Sequence, residues 1–221
     1  MMFLPKSLFN AFLALLVVML VACMETGPAP CDEGGTLFSD DFEGEQECGW
    51  AQYQRGGAVA EIAEGELYIT TSQPGQIWWT TPGRTISDVI ISGRVRHVEG
   101  PINNAYGLIC RYQSPDNFYV FLISSDGYYA IGKYQVGNDQ IIYLNEEEQY
   151  VFSEAINQGE GSTNLIRATC SGNELSLTVN GSPLATVVDP TFVTGDFGVA
   201  ASTFEAGALE IAFDDVQVIA P

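Results

Sequence analysis

A succession of short, β-rich runs separated by turn residues constrains the fold of this 221-residue chain more than any other feature. The runs are rich in Val, Ile, Tyr, Phe and Thr, which pack well on pleated strands. Asp126-Gly127 and Asn180-Gly181 lie between neighbouring runs, and such dipeptides favour two-residue hairpin turns. No stretch repeats its apolar residues with a helical period of about 3.6 residues. The pattern predicts an all-β chain, folded as a β-sandwich or barrel.

The residue pattern within the runs indicates how each strand is covered. Residues 174–179 alternate polar and apolar side chains, which predicts one buried face. Residues 117–123 are apolar on both faces, which predicts a strand covered on both sides. The clearest runs, predicted as strands, are 66–71, 76–80, 88–98, 106–113, 117–124, 128–136, 140–144, 164–170, 174–179, 184–188, 197–202 and 209–218.

The N-terminus has the features of an export signal. Lys6 precedes an apolar run over residues 8–21, which is shorter than the about 20 residues of a spanning helix. The run ends in Leu20-Val21-Ala22-Cys23, which resembles the bacterial lipobox, whose Cys is lipidated after cleavage. We therefore predict a lipoprotein signal peptide over residues 1–22 and an extracytoplasmic protein, lipid-anchored to the bacterial cell membrane through Cys23. The alternative is an ordinary signal peptide followed by a fortuitous cysteine.

Residues 23–35 are rich in Pro and Gly and are predicted to form a tether. The formal net charge of the chain is −20, which disfavours binding to nucleic acid or to an anionic membrane surface. The simpler interpretation of this charge, which we prefer, is that it keeps an exported domain soluble. We expect no nucleic-acid partner and a monomeric protein.

Four cysteines follow the lipobox: Cys31, Cys48, Cys110 and Cys170. An even number in an exported chain predicts two disulfides, for which three pairings are possible. Cys31 and Cys48 bracket one short N-terminal stretch, whereas Cys110 and Cys170 each lie in an apolar run, so we favour the pairs Cys31–Cys48 and Cys110–Cys170. There is no CxxC pattern and only one histidine, His97, so a zinc or redox site is not expected. His97 is predicted to lie on the surface.

Four segments, taken in order, resemble concanavalin A-like lectin/glucanase jelly-roll domains of exported bacterial proteins. They are Thr36–Phe42 with Gly49-Trp50, Gly107–Tyr112 with Asp116–Tyr119, Leu175–Gly181, and Phe213–Val218. The third segment also resembles the L-x-L-x-V-N-G hairpin of laminin G-like domains. The resemblance covers residues 36–221 and implies one antiparallel sandwich of two sheets, one of them concave, whose first and last strands lie close together.

Relatives on this fold include carbohydrate-binding modules, laminin G-like domains, family-16 glycoside hydrolases and 3-keto-disaccharide hydrolase-like proteins, so the fold does not settle the function. The family-16 glycoside hydrolases carry an E-x-D-x-E strand, which this chain lacks. Glu43, Glu45 and Glu47 have the spacing but not the intervening residues, and Glu146–Glu148 has the composition of a solvated charge run. No catalytic residue is predicted.

Several residues are candidates for ligand binding. In a strand, Trp78 and Trp79 point to opposite faces, so we expect one in the core and the other available to stack on a sugar ring. Arg111 is a cation in the middle of a strand, so it either pairs with a carboxylate or faces a solvated cleft and binds ligand. The remaining candidates are Tyr112, Tyr119 and Tyr128, together with Asn104, Asp116 and Asn117, which flank Arg111 in sequence and could complete a polar cluster.

Asp40, Asp41, Asp214 and Asp215 lie in the predicted first and last strands. If these strands pair, the carboxylates converge, and oxygen ligands of this kind suit Ca²⁺. The alternative is that they face solvent or cap turns. Apart from this possible Ca²⁺, no cofactor is expected.

The sequence as a whole predicts a membrane-anchored, extracytoplasmic, non-catalytic module that binds carbohydrate or another extracellular ligand. One alternative is a glycoside hydrolase whose carboxylates the sequence does not identify. A second is a structural or adhesion domain that binds a protein, which an exposed apolar patch without a groove would favour.

Overall fold

The computed structural model describes residues 31–32, 35–44 and 48–221, so the predicted signal peptide and Cys23 lie outside the described residues. Within the described part of the chain there are sixteen strands and no helix, and hence no helix that could cross a membrane. The strands are β1 (Phe38–Asp40), β2 (Tyr53–Arg55), β3 (Ala58–Ala63), β4 (Glu66–Thr71), β5 (Trp78–Thr80), β6 (Val89–Glu99), β7 (Asn104–Ser114), β8 (Asn117–Ile123), β9 (Tyr128–Tyr134), β10 (Ile142–Tyr143), β11 (Val151–Phe152), β12 (Thr163–Ser171), β13 (Glu174–Val179), β14 (Ser182–Val188), β15 (Asp196–Thr203) and β16 (Leu209–Ile219).

The strands form two antiparallel sheets packed face to face. The first sheet has nine strands in the order β14-β13-β12-β6-β16-β4-β3-β2, with β1 also paired to β16. The second has seven in the order β10-β9-β8-β7-β15-β5, with β11 also paired to β9. Phe38 pairs with Val218, so the first and last strands are neighbours. The predicted antiparallel two-sheet sandwich is confirmed.

Strand β8 shows why the second sheet is covered on both sides. Tyr119, Phe121 and Ile123 belong to the main core between the sheets. Phe118, Val120 and Leu122 belong to a separate cluster on the face turned away from the first sheet. All six are buried, which confirms the prediction made from this apolar run.

We call this separate cluster the outer cluster. Its buried members are Ala105, Ile109, Phe118, Val120, Leu122 and Ala200. Its partly buried members, which cover the first group, are Ile77, Trp79, Tyr112, Tyr134, Ile141 and Tyr150. Two of these, Ile141 and Tyr150, come from the segment that follows β9, and Ile141 lies directly over Gly132. The outer face of the second sheet is therefore partly filled by the protein's own aromatic side chains.

Both predicted disulfides are present. Cys110 in β7 and Cys170 in β12 join the two sheets across the core, and Cys31 joins Cys48. Cys31 is only 4% exposed, and its carbonyl accepts a hydrogen bond from Ser39. Cys31, which lies within the predicted tether over residues 23–35, is thus attached to the domain.

The two hairpin turns differ from each other. Asn180 and Gly181 both have positive φ, 50° and 82°, as a two-residue turn between β13 and β14 requires. In the β8–β9 turn only Gly127 has positive φ, and Ser124 N–H bonds Tyr128 C=O, so the loop is longer than predicted. Asp126 therefore folds back toward Ser124 instead of pointing away from the sheet.

The structure corrects the prediction that His97 lies on the surface. His97 is 0% exposed, because Val95 and His97 share the inner face of β6. Neither ring nitrogen has a hydrogen-bond partner among the described residues. Strands β2, β3 and β11 are not among the predicted runs, and β1 was expected only from the family resemblance. Strands β2 and β3 flank Gly56-Gly57, and β11 has only two residues.

Candidate functional site

An open pocket of about 560 Å³ lies at one end of the second sheet, and we call it the end pocket. It forms where β7 begins, β15 ends and the β8–β9 turn closes the sheet. Its polar lining consists of Asn103, Asn104, Ser124, Asp126 and Glu205. Its remaining lining consists of Ile102, Tyr128, Tyr150 and Phe204. Asn104 and Tyr128 are the predicted ligand-binding residues that line it.

Aromatic side chains form one wall of the end pocket. Tyr150 and Phe204 meet edge to face, with ring centroids 5.9 Å apart. Phe204 is 42% exposed, although it is a large apolar side chain. Tyr128 is also exposed and packs edge to face on Phe152 at 5.6 Å. Exposed rings beside polar groups are suited to packing against the apolar face of a sugar.

Asn104 forms a fixed polar floor. Its amide nitrogen donates to Pro101 O at 2.7 Å and to Ser125 Oγ at 2.9 Å. Its Oδ1 accepts from Ser125 N at 2.9 Å. Because these bonds use both amide atoms, the side chain is held in one orientation and its N–H groups are largely occupied within the protein.

Two carboxylates face the end pocket from different loops. Asp126 accepts a hydrogen bond from the hydroxyl of Ser124. Glu205 accepts one from Asn103 Nδ2 at 3.1 Å. Each carboxylate can accept several hydrogen bonds, so both retain acceptor capacity for a ligand.

Tyr150 belongs to both the end pocket and the outer cluster. Burial raises the pKa of its phenol well above the ordinary value, and the neighbouring Tyr143 and Tyr134 reinforce the effect. Burial likewise raises the pKa of Tyr134 to about 12. Both hydroxyls therefore stay protonated and uncharged at neutral pH.

The structure separates the two tryptophans as the sequence predicted. Trp78 packs against the main core, and its indole nitrogen is buried without a partner among the described residues. Trp79 lies in the outer cluster with Tyr112, and their ring centroids are 6.0 Å apart. Trp79 and Tyr112 do not line the end pocket, but they share a sheet face with Tyr150.

Of the two alternatives for Arg111, the structure shows the first: the side chain pairs with a carboxylate inside the protein. It is 2% exposed, and its guanidinium donates to Ser87 O, Phe192 O and Asp88 Oδ1 at 2.7–3.1 Å. All of these partners belong to the protein, so the side chain is not available to an external ligand. We therefore move the ligand-binding role away from Arg111.

Tyr119 is also enclosed. Its hydroxyl donates to Asp189 Oδ1 at 2.6 Å and accepts from Phe192 N at 3.0 Å. Lys133 Nζ bonds the other oxygen of Asp189 at 2.7 Å. Burial alone would raise the pKa of Asp189, but hydrogen bonds led by Lys133 outweigh it and lower the pKa to about 2.

The predicted polar cluster around Arg111 does not form. Asn104 begins β7, whereas Asp116 and Asn117 lie beyond its end, at the β7–β8 turn. Eleven residues of strand place these positions about 30 Å apart. Asn117 bonds Ser114 and Val136 there, far from the end pocket.

The four aspartates proposed for Ca²⁺ do not converge on one point. Asp40 accepts from Trp50 Nε1 and Phe42 N, while Asp214 and Asp215 pair with Arg94. Among the described residues, the only group with metal-ligand spacing is Asp40 with Cys31 and Cys48, whose sulfurs are joined in a disulfide. The Ca²⁺ prediction stays a prediction, and none of these contacts supports it.

Solved structures of several other proteins have a similar fold. The carbohydrate-binding module CBM66 from Bacillus subtilis superposes with a TM-score of 0.61 at 14% identity, covering 78% of this chain and 96% of that one. A Bacillus licheniformis β-glucanase gives 0.59 at 12% identity, covering 86% and 100%. A Bacillus subtilis protein described as having a galectin-like fold gives 0.59 at 11%, covering 85% and 96%.

No family model and no curated protein matches the chain. The structural matches confirm the predicted concanavalin A-like jelly roll, but at these identities they show the fold alone.

Sequence reasoning missed Asp126, Tyr150, Phe204 and Glu205 as pocket residues. The sequence predicts Asp126 only as a turn residue. The signal that could have pointed to Phe204 and Glu205 is a large aromatic next to a carboxylate within a stretch of Ser, Thr, Ala and Gly, where no core strand needs either.

Proposed function

We propose that this chain is an exported carbohydrate-binding module that binds saccharide in the end pocket. The observation that carries the proposal is the composition of that pocket, where exposed Phe204 and Tyr128 stand beside hydrogen-bonding oxygens of Asp126 and Glu205. A saccharide presents apolar C–H faces and a rim of hydroxyls, so it needs both kinds of group. The fold is one on which a carbohydrate-binding module is built.

Binding to a glycan array, followed by calorimetry with the strongest ligand, tests the proposal. Phe204→Ala should weaken binding about tenfold or more, since it removes the most exposed ring of the pocket wall. Leu165→Ala is the matched control, because Leu165 is a comparably exposed apolar residue (50% against 42%) on the other sheet. Equal affinities in the two variants, or an array without any ligand, would count against the proposal.

A second candidate function, glycoside hydrolysis, is favoured by one observation: Asp126 and Glu205 face the same pocket. Glycosidases use such a pair of carboxylates as acid and as nucleophile or base. The test is release of reducing sugar from polysaccharides by the purified protein. Turnover that disappears in both Asp126→Asn and Glu205→Gln would show that the protein is a hydrolase. Saccharide binding without any turnover would favour the non-catalytic binding module instead.

We also propose that the protein acts outside the cytoplasm, anchored through Cys23. Two disulfides in the domain support an oxidising compartment. The anchor rests on the sequence of the leader alone. Cell fractionation of a Cys23→Ser variant should move the protein from the membrane fraction to the soluble one, and retention in the membrane would contradict the anchor.

A further inference from the structure

The charges around the end pocket bear on which saccharides it can bind. Asp126 and Glu205 contribute two carboxylates to its lining, and no Lys, Arg or His lies among the described residues that line it. The chain around it has a formal net charge of −20. A ligand carrying carboxylate or sulfate would therefore enter a pocket of its own sign without a countercharge.

The described cations are engaged or located elsewhere. Arg84, Arg94, Arg96, Arg111 and Lys133 each pair with a carboxylate. Arg55 lies over the ring of Tyr53 at 4.6 Å, and Arg167 is exposed on the first sheet. None of these side chains lines the end pocket, so neutralising an anionic ligand there would require another source of positive charge.

The hydrogen-bonding groups of the pocket are unevenly divided between acceptors and donors. The amide of Asn103 is bonded to Glu205, and that of Asn104 to Pro101 and Ser125. The carboxylates of Asp126 and Glu205 have unused lone pairs, whereas both N–H groups of Asn104 and one of the two of Asn103 are bonded within the protein, and the hydroxyls of Tyr128 and Tyr150 are the other donors of the lining. The pocket thus offers mainly acceptors, which match a ligand rich in donors. An ammonium group supplies three donors together with the complementary charge.

From this lining we propose, resting on the saccharide-binding function above, that the end pocket selects amino sugars bearing a free amine and rejects uronic or sulfated sugars. Asp126 and Glu205 bind the ammonium group. The rings of Phe204, Tyr128 and Tyr150 pack on the sugar and add the attraction of an aromatic face for a cation.

The test uses three β-1,4-linked hexamers with the same ring backbone, whose sugars are glucose, glucosamine (an amine in place of the 2-hydroxyl) or glucuronic acid (a carboxylate in place of the 6-hydroxymethyl), with affinities measured by calorimetry. We expect the glucosamine hexamer to bind most tightly, the glucose hexamer about tenfold more weakly, and the glucuronic acid hexamer not at all. Salt of about 1 M, which shortens the Debye length to about 3 Å, should reduce the preference for the amine.

The carboxylates of Asp126 and Glu205 should account for this order of affinities among the three hexamers. Asp126→Asn and Glu205→Gln should each weaken binding of the glucosamine hexamer about fivefold and leave that of the glucose hexamer within about twofold. Asp116→Asn is the matched control, since it removes one carboxylate at the opposite end of the sheet.

Equal or tighter binding of the glucuronic acid hexamer would overturn the inference, as would an amine preference that survives the double variant. Binding of none of the three hexamers would overturn it too. The proposed saccharide-binding function is contradicted by a different result, namely that no glycan on the array binds.

Discussion

Arg111 and Lys133 place positive charges in the interior of the sandwich, where an unpaired charge would be costly. Each is matched by partners that the chain supplies. Arg111 is held by Asp88 and two backbone carbonyls, and Lys133 by Asp189 and Thr191. These contacts join strands of the second sheet to the segments before β6 and β15, so at the scale of single residues the buried cations stabilise the fold.

Replacing Arg111 by Met should therefore destabilise the protein without changing its affinity for saccharide. We expect a loss of roughly 3 kcal/mol in the free energy of unfolding, because the carbonyls of Ser87 and Phe192 lose their donors. Urea denaturation measures this loss. Saccharide affinity of the folded variant should equal that of the wild type, and a selective loss of affinity with unchanged stability would restore Arg111 to the binding site.

Asp189 should make stability depend on acid pH. Its folded pKa of about 2 lies below the ordinary 3.8, so the stabilisation is fully present above about pH 4 and is lost as the pH falls toward 2. With solvent screening of the carboxylate, the shift corresponds to at most about 2 kcal/mol. Urea unfolding at several pH values should show a shallower acid decline for Asp189→Asn than for wild type. Parallel curves for the two proteins would contradict this assignment.

The orientation of Arg111 shows what the sequence could not reveal at this scale. Simple alternation from the inward-facing Cys110 turns Arg111 outward and Tyr112 inward. The structure has the reverse, because β7 is irregular between Cys110 and Ser114 and Arg111 has a φ of +53°. Trp78 and Trp79 lie in a regular strand, and their opposite orientations were predicted correctly.

At the scale of elements, the neighbouring strands β7 and β8 of the second sheet lie close together at Gly107. A Cβ on Gly107 would lie 2.0 Å from Phe121 O, which is backbone of the neighbouring β8 and cannot move away freely. Gly107 is not a turn residue, since its φ is not positive. Its role is close packing within the sheet.

Gly107→Ala should accordingly destabilise the protein by about 3 kcal/mol, through overpacking between β7 and β8. Gly93→Ala is the matched control, because Gly93 also lies within a strand but a Cβ there would meet Val216 at an ordinary 3.5 Å. Thermal or urea denaturation of both variants measures the difference. Equal stability of the two would show that the sheet adjusts to the added methyl group.

The elements were largely predictable because their signals are local. Residues 66–71 and 174–179 were predicted with their observed bounds, and the Asn180-Gly181 turn with its observed geometry. The β8–β9 turn was not, because the sequence Asp126-Gly127 is compatible with loops of more than one length. That turn carries Asp126 into the end pocket, so the error at one turn concealed part of the site.

At the scale of the whole molecule, the sandwich was predictable because alternation and turn residues recur along the entire chain. The end pocket was not, since it gathers side chains from β7, the β8–β9 turn, the segment before β11 and the loop after β15. Residues such as Asn104 and Glu205 are distant in sequence and meet only through the strand order of the second sheet. A single sequence contains no local signal for such a meeting.

The most direct test of the central claim is amide chemical-shift mapping by NMR while a saccharide found on the array is titrated into the protein. Binding in the end pocket predicts the largest shifts at Asn103, Asp126 and Glu205, with little change at Gln113 and Asn117 at the far end of the sheet. Shifts concentrated at that far end, with the end pocket unperturbed, would contradict the account.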